Sequence, residues 1–84
     1  MAKVTMYASD WCPYCQRAEA LLRSKGVAID KILVDQEPGR REEMIRLSGR
    51  RTVPQIFIGD RHVGGCDDIH ALDRAGGLDP LLAA

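Results

Sequence analysis

The sequence predicts an α/β domain in which one mixed four-stranded sheet carries helices on both faces, in the order β-α-β-α-β-β-α. Three observations carry that expectation. In the first half, short β-prone runs alternate with stretches of good helix formers, the pattern of a parallel crossover. In the second half, two β-prone runs are separated only by Gly59-Asp60, as in an antiparallel hairpin. A chain of 84 residues, 45% of them apolar, can build one modest core, so 1–84 reads as a single domain without linker or second core.

Each element has its own signal. The first strand covers about Lys3 to Ala8, with Val4, Met6 and Ala8 on one face and Thr5 and Tyr7 on the other. A helix follows from Pro13 to about Lys25; Cys15, Ala18, Leu21 and Leu22 fall at helical spacing, and Gly26 is placed to end it. Ile29 to Val34 is β-branched and makes the second strand, and Asp35 to Gly39 is a turn. The second helix spans about Arg40 to Ser48 and stops at Gly49. Met44, Ile45 and Leu47 form its apolar edge, the cluster Arg40-Arg41-Glu42-Glu43 reads as a solvated face, and Glu42 is spaced to pair with Arg46. Gln55 to Ile58 and Arg61 to Gly64 are the hairpin strands. Ile69, Leu72 and Ala75 mark a third helix with Asp67 as its expected N-cap and a stop at Gly76-Gly77, after which Leu78 to Leu82 either covers the sheet edge or frays.

Charge and cysteine usage narrow the function classes. Lys plus Arg and Asp plus Glu balance at 12 each, so no overall field recruits nucleic acid or an anionic membrane. Met1-Ala2-Lys3-Val4 begins no long apolar run, which predicts neither a signal peptide nor a membrane span. Three cysteines, an odd number, do not suit a secreted disulfide scaffold; the cytoplasm, where a dithiol can cycle, is the expected compartment.

The chemistry is centred on Cys12-Pro13-Tyr14-Cys15. Two cysteines so spaced can be a dithiol redox couple, half of a metal site or two packed thiols. Here the pair sits where a strand hands over to a helix, and Pro13 suits the first helical position, which makes Cys12 the N-cap. Unpaired N–H groups and the positive end of the helix dipole favour a thiolate there. Cys12 is therefore expected to be acidic, in the range of about 3.5–7.5 known for such motifs rather than the usual ~8.5. Cys12 reads as the attacking thiol and Cys15, one turn on and on the same helix face, as the resolving one. A zinc site would need two further ligands, and Cys66, His62 and His70 form no second knuckle of structural-zinc spacing, so no metal is expected.

Cys12-Pro13-Tyr14-Cys15, Thr52-Val53-Pro54 and Gly64-Gly65-Cys66-Asp67-Asp68, in this order, resemble a dithiol glutaredoxin of the thioredoxin-like fold. The segments Arg41 to Ile58 and Gly76 to Leu82 look most like the small bacterial glutaredoxin-three type. The resemblance implies a glutathione-dependent thiol–disulfide oxidoreductase acting on protein–glutathione mixed disulfides and protein disulfides. Cys12 and Cys15 would be its catalytic residues and form its redox-active disulfide, with a potential in that family's range of about −200 to −230 mV. It also implies a cis Pro54 facing the cysteines. Val53 would offer its backbone to glutathione as an added strand would, and Tyr14 and Thr52 would flank the tripeptide. Gly65 would permit close approach, the backbone at Cys66 and Asp67 would receive the γ-glutamyl carboxylate, and Asp67 or Asp68 would meet its ammonium group. Glutathione is then a reducing co-substrate, no cofactor is bound, the partners are glutathionylated or disulfide-containing proteins, and the acting unit is a monomer.

The sequence departs from the family pattern in places. Many members carry a lysine three residues before the nucleophilic cysteine; this chain has Ser9, followed by Asp10. Arg41 stands where the family commonly contacts the glycyl carboxylate and is the candidate for that contact. Trp11 resembles the tryptophan that precedes the first cysteine of thioredoxins, and reads as an apolar lid or as a residue that selects partners. It keeps open a thioredoxin-like donor recharged by a flavoprotein reductase. A non-enzymatic iron–sulfur cluster carrier is the other alternative, against which Pro13 and Tyr14 argue. Cys66 reads as a small residue beside the site, His62 and His70 as surface residues, and Arg17 as an exposed helical arginine.

Overall fold

Four of the five residues of β1 (Val4–Ala8) are buried, because this strand is central in the sheet and both of its faces are covered. The computed structural model describes residues 2–84; Met1, the first residue of the expected domain, lies outside the described residues. Around β1 stand α1 (Pro13–Ser24), β2 (Ile29–Leu33), α2 (Arg40–Ser48), β3 (Gln55–Ile58), β4 (Arg61–Gly64), α3 (Cys66–Arg74) and α4 (Leu78–Ala83). The strand order is β2-β1-β3-β4. β2 runs parallel to β1, with Val4 opposite Ile29 and Ala8 opposite Leu33. β3 is antiparallel to β1, with Val4 opposite Ile58, and β4 returns antiparallel to β3 through the Gly59-Asp60 turn. The expected mixed sheet of the thioredoxin-like fold is thus present.

The two faces bury different clusters. Val4, Met6 and Ala8 join Cys15, Ala18 and Leu22 of α1, Ile56 of β3, Cys66 and Ile69 of α3, and Leu78 and Leu82 of α4. On the other face Tyr7, Ile32 and Val34 pack with Met44 of α2. The Tyr7 hydroxyl donates to Glu43 of α2, and burial first, then that carboxylate, pushes its pKa up to about 12. The α2 helix is thereby pinned by apolar contact and by a hydrogen bond.

Four expectations need correction. Lys3 and Val34 fall outside the strands, and α1 ends at Ser24 with Lys25 as its C-cap and Gly26 at φ 76 beyond it. The N-cap of α3 is Gly65, not Asp67, which lies in the first turn. Glycine has no side chain with which to cap, so the carboxylate of Asp68 reaches back instead and accepts the Gly65 N–H at 2.9 Å. Glu42 and Arg46 are not paired among the described residues; Arg40 instead bridges to Glu43 at 2.9 Å and Glu37 at 3.5 Å. Leu78 to Leu82 does not fray: it forms α4, which inserts Leu78 and Leu82 into the larger core.

Candidate active site

Cys12 occupies the turn that β1 feeds into α1. Its backbone is extended, Pro13 follows at the first helical position, and its sulfur accepts the Cys15 N–H at 3.1 Å. The sulfur thus takes the role an N-cap oxygen plays elsewhere, at the positive end of the helix dipole. Across from it, the Val53 carbonyl oxygen lies 3.9 Å from Sγ. Cys15 differs in every respect. It is 4% exposed and belongs to the core. Burial, reinforced by the contact with Cys12, pushes its thiol up to about 12. Cys12, Cys15 and Cys66 are unbridged.

Beside Cys12 opens a groove of about 310 Å³. Tyr14 and the loop Thr52-Val53-Pro54 form one part of its lining, and the peptide bond between Val53 and Pro54 is cis. Gly65, Cys66, Asp67 and Asp68, at the start of α3, form another, together with Arg50. Glycine is required at the hinge between these walls. Gly64 sits at φ 124, where a Cβ would press to 2.8 Å from the Asp68 carboxyl carbon. At Gly65 a Cβ would stand 3.3 Å from the Pro54 carbonyl oxygen. Asp68 accepts from the Gly65 N–H and from Arg50 Nη1 at 2.8 Å, and these two donors, the backbone one first, hold its carboxyl below the usual range.

The Thr52-Val53-Pro54 loop is held from behind by Gln55, a fully buried polar side chain. Its Nε2 donates to the Thr52 carbonyl at 3.0 Å and to Thr52 Oγ1 at 3.3 Å. His62 Nε2 lies 2.7 Å from Gln55 Oε1, and since an amide oxygen only accepts, the imidazole is the donor. Burial lowers the proton affinity of His62, so the neutral ring is favoured. Cys66 is buried, which raises its thiol pKa, and its carbonyl accepts from His70 Nδ1 at 2.8 Å. Neither histidine is a simple surface residue.

Of the site residues expected from the sequence, the structure brings Tyr14, Thr52, Val53, Pro54, Gly65, Cys66, Asp67 and Asp68 around one groove next to Cys12, with Cys15 behind it. Arg41 is elsewhere, bound to Asp35 at 2.6 Å beside the turn that precedes α2. The guanidinium in the groove belongs to Arg50, a residue that sequence reasoning passed over. Trp11 is no lid: its side chain is 93% exposed. Arg17 lies over the Tyr14 ring, 5.6 Å from its centroid. No group of three or more His, Cys, Asp or Glu among the described residues is arranged to hold a metal ion, and no helix among them is long and apolar enough to cross a membrane.

An accessible sulfur at a helix N-terminus, with a protonated partner one turn deeper, is built to open a disulfide and then close one of its own. That is the chemistry of the thioredoxin-like dithiol oxidoreductases. Comparison with known proteins narrows the class. The glutaredoxin family model matches residues 4–63. Glutaredoxin 3 of Escherichia coli K12 is 60% identical over 82 residues, 98% of this chain and 99% of that protein. A glutaredoxin of Pseudomonas aeruginosa is 56% identical over 84 residues, covering both chains in full. The crystal structure of a buckwheat glutaredoxin–glutathione complex superposes with a TM-score of 0.90 at 33% identity, over 98% of this chain and 77% of that one. The chain belongs to the glutaredoxin family, and it is a glutathione-dependent thiol–disulfide oxidoreductase.

Proposed function

We propose that the groove is the glutathione site and that Cys12 and Cys15 divide the reaction by access. The observation that carries this reading is their inequality: one sulfur is at the groove with a backbone N–H donated to it, and the other is buried and holds its proton. With a glutathionylated protein, the Cys12 thiolate attacks the glutathione sulfur. The mixed disulfide breaks, the protein leaves as a thiolate, and Cys12 becomes glutathionylated. A free glutathione thiolate then attacks that sulfur, forming glutathione disulfide and restoring Cys12. With a protein disulfide, the Cys12 thiolate attacks one substrate sulfur, the substrate disulfide breaks and its other sulfur leaves as a thiolate; Cys15 then gives up its proton and attacks Cys12, the mixed disulfide breaks and the second substrate sulfur leaves, and the Cys12–Cys15 disulfide remains for two glutathiones to reduce.

In this reading Val53 pairs its backbone with that of glutathione, between Tyr14 and Thr52. The amides at the start of α3 receive the γ-glutamyl carboxylate, and Asp67 or Asp68 takes its ammonium. The relative from buckwheat was solved with glutathione, which supports the assignment. Arg41 would have to leave Asp35 to take part, so Arg50 is the carboxylate ligand nearer to hand. The reaction runs in the cytoplasm on a single chain.

A coupled assay of glutathione-dependent reduction of a small glutathionylated disulfide tests the division of labour. Cys12→Ser is expected to abolish turnover, whereas Cys15→Ser keeps it on the small substrate and loses it on a protein disulfide. Turnover surviving in Cys12→Ser overturns the assignment.

A further inference from the structure

Trp11 adds nothing visible to the fold. Its side chain is 93% exposed, and at φ 58 it is the one non-glycine residue among those described in the left-handed region. Glycine or asparagine holds such a turn with less strain. Nor does the indole line the groove. Its position is nevertheless particular, because it is joined directly to Cys12, while Tyr14, 55% exposed, stands on the other side of the same cysteine in sequence. Two exposed aromatic residues therefore flank the attacking cysteine in sequence, one lining the groove and the other not.

The reaction proposed above brings a protein disulfide to this sulfur. Residues next to the substrate's cysteine must then pass within about a residue's length of the indole. We infer that Trp11 is a docking residue for the protein part of the substrate, taking up an apolar or aromatic side chain that adjoins the reacting cysteine in an extended segment. An indole suits this task, since a rigid aromatic loses little side-chain entropy when covered and carries a large share of binding energy at interfaces. The inference rests on Cys12 as the attacking sulfur.

The test uses Cys15→Ser chains and two short peptide homodisulfides, with the cysteine flanked by phenylalanine in one and by serine in the other. The Cys12 thiolate attacks one peptide sulfur, a Cys12–peptide disulfide forms, the peptide disulfide breaks and the second peptide leaves as a thiolate. Without Cys15 the adduct stays. Trp11 is the only tryptophan, so emission reports its environment alone. The phenylalanine peptide is expected to shift emission to the blue and to react faster than the serine peptide. Adding Trp11→Asn to the Cys15→Ser background is expected to reduce that rate ratio by roughly tenfold, while urea unfolding followed by circular dichroism shows stability kept or raised. Equal rates for the two peptides, a preference that survives Trp11→Asn, or a variant of lower stability overturns the inference. An adduct that still forms when Cys12 is replaced by serine overturns instead the assignment of the attacking sulfur, and the inference with it.

Discussion

Gln55 carries more of the site than its place in a strand suggests. Fully buried, it spends both ends of its amide on neighbours, Thr52 on one side and His62 on the other. Replacing it with leucine keeps the bulk but leaves the Thr52 carbonyl, the Thr52 hydroxyl and the His62 N–H without that partner, at a cost of about 1–3 kcal/mol. Gln55→Leu is expected to lower the urea midpoint, and steady-state kinetics should show a rise in KM for a glutathionylated substrate that exceeds any fall in kcat, because the loop at the groove loosens while the Cys12 turn does not. This contact was not legible in the sequence. Gln55 meets His62 across the hairpin, and Arg50 meets Asp68 from 18 positions away; no periodicity reports either. Cys12 was legible because its setting is local: strand, Pro13 and helix are consecutive, and the capping hydrogen bond closes within three residues.

At the scale of elements, the same distinction separates α1 from α4. Twelve residues of α1 display helical spacing of apolar positions and a terminating glycine. The α4 helix has six residues and contains Pro80, which reads as a breaker. Proline is tolerated there because it stands in the first turn, where the N–H groups have no intrahelical partner in any case. What holds α4 is tertiary: Leu78 and Leu82 enter the core, and Lys25 at the end of α1 bridges Asp73 of α3 at 2.8 Å and Asp79 of α4 at 3.0 Å. Leu78→Ala removes a fully buried side chain and is expected to cost about 2–5 kcal/mol in urea or thermal unfolding. The start of α3 was misjudged for a similar reason. Asp67 has the favoured cap chemistry, but Asp68 is the carboxylate one turn beyond Gly65, and Gly64 at φ 124 lets the chain turn into that arrangement.

For the whole molecule, acidity and stability are joined through the two clusters that flank the sheet. Each holds an acid that the fold keeps protonated: Cys15, from an ordinary 9.0 to about 12, and Tyr7, from 10.0 to about 12. Above pH 9 the unfolded chain releases protons that the folded one retains, so stability is complete below pH 9 and falls as pH rises toward 12. Urea midpoints of the reduced protein at pH 8, 9, 10 and 11 are expected to fall progressively, and Tyr7→Phe should flatten the part above pH 10. The burial of Cys15 also changes how the molecule looks to a reagent in solution. The chain has three cysteines, yet Cys15 and Cys66 are buried and Cys12 alone is partly exposed. A thiol reagent is therefore expected to find one fast-reacting site in the folded chain and three in the opened one, so that counting fast-reacting thiols amounts to counting folded molecules.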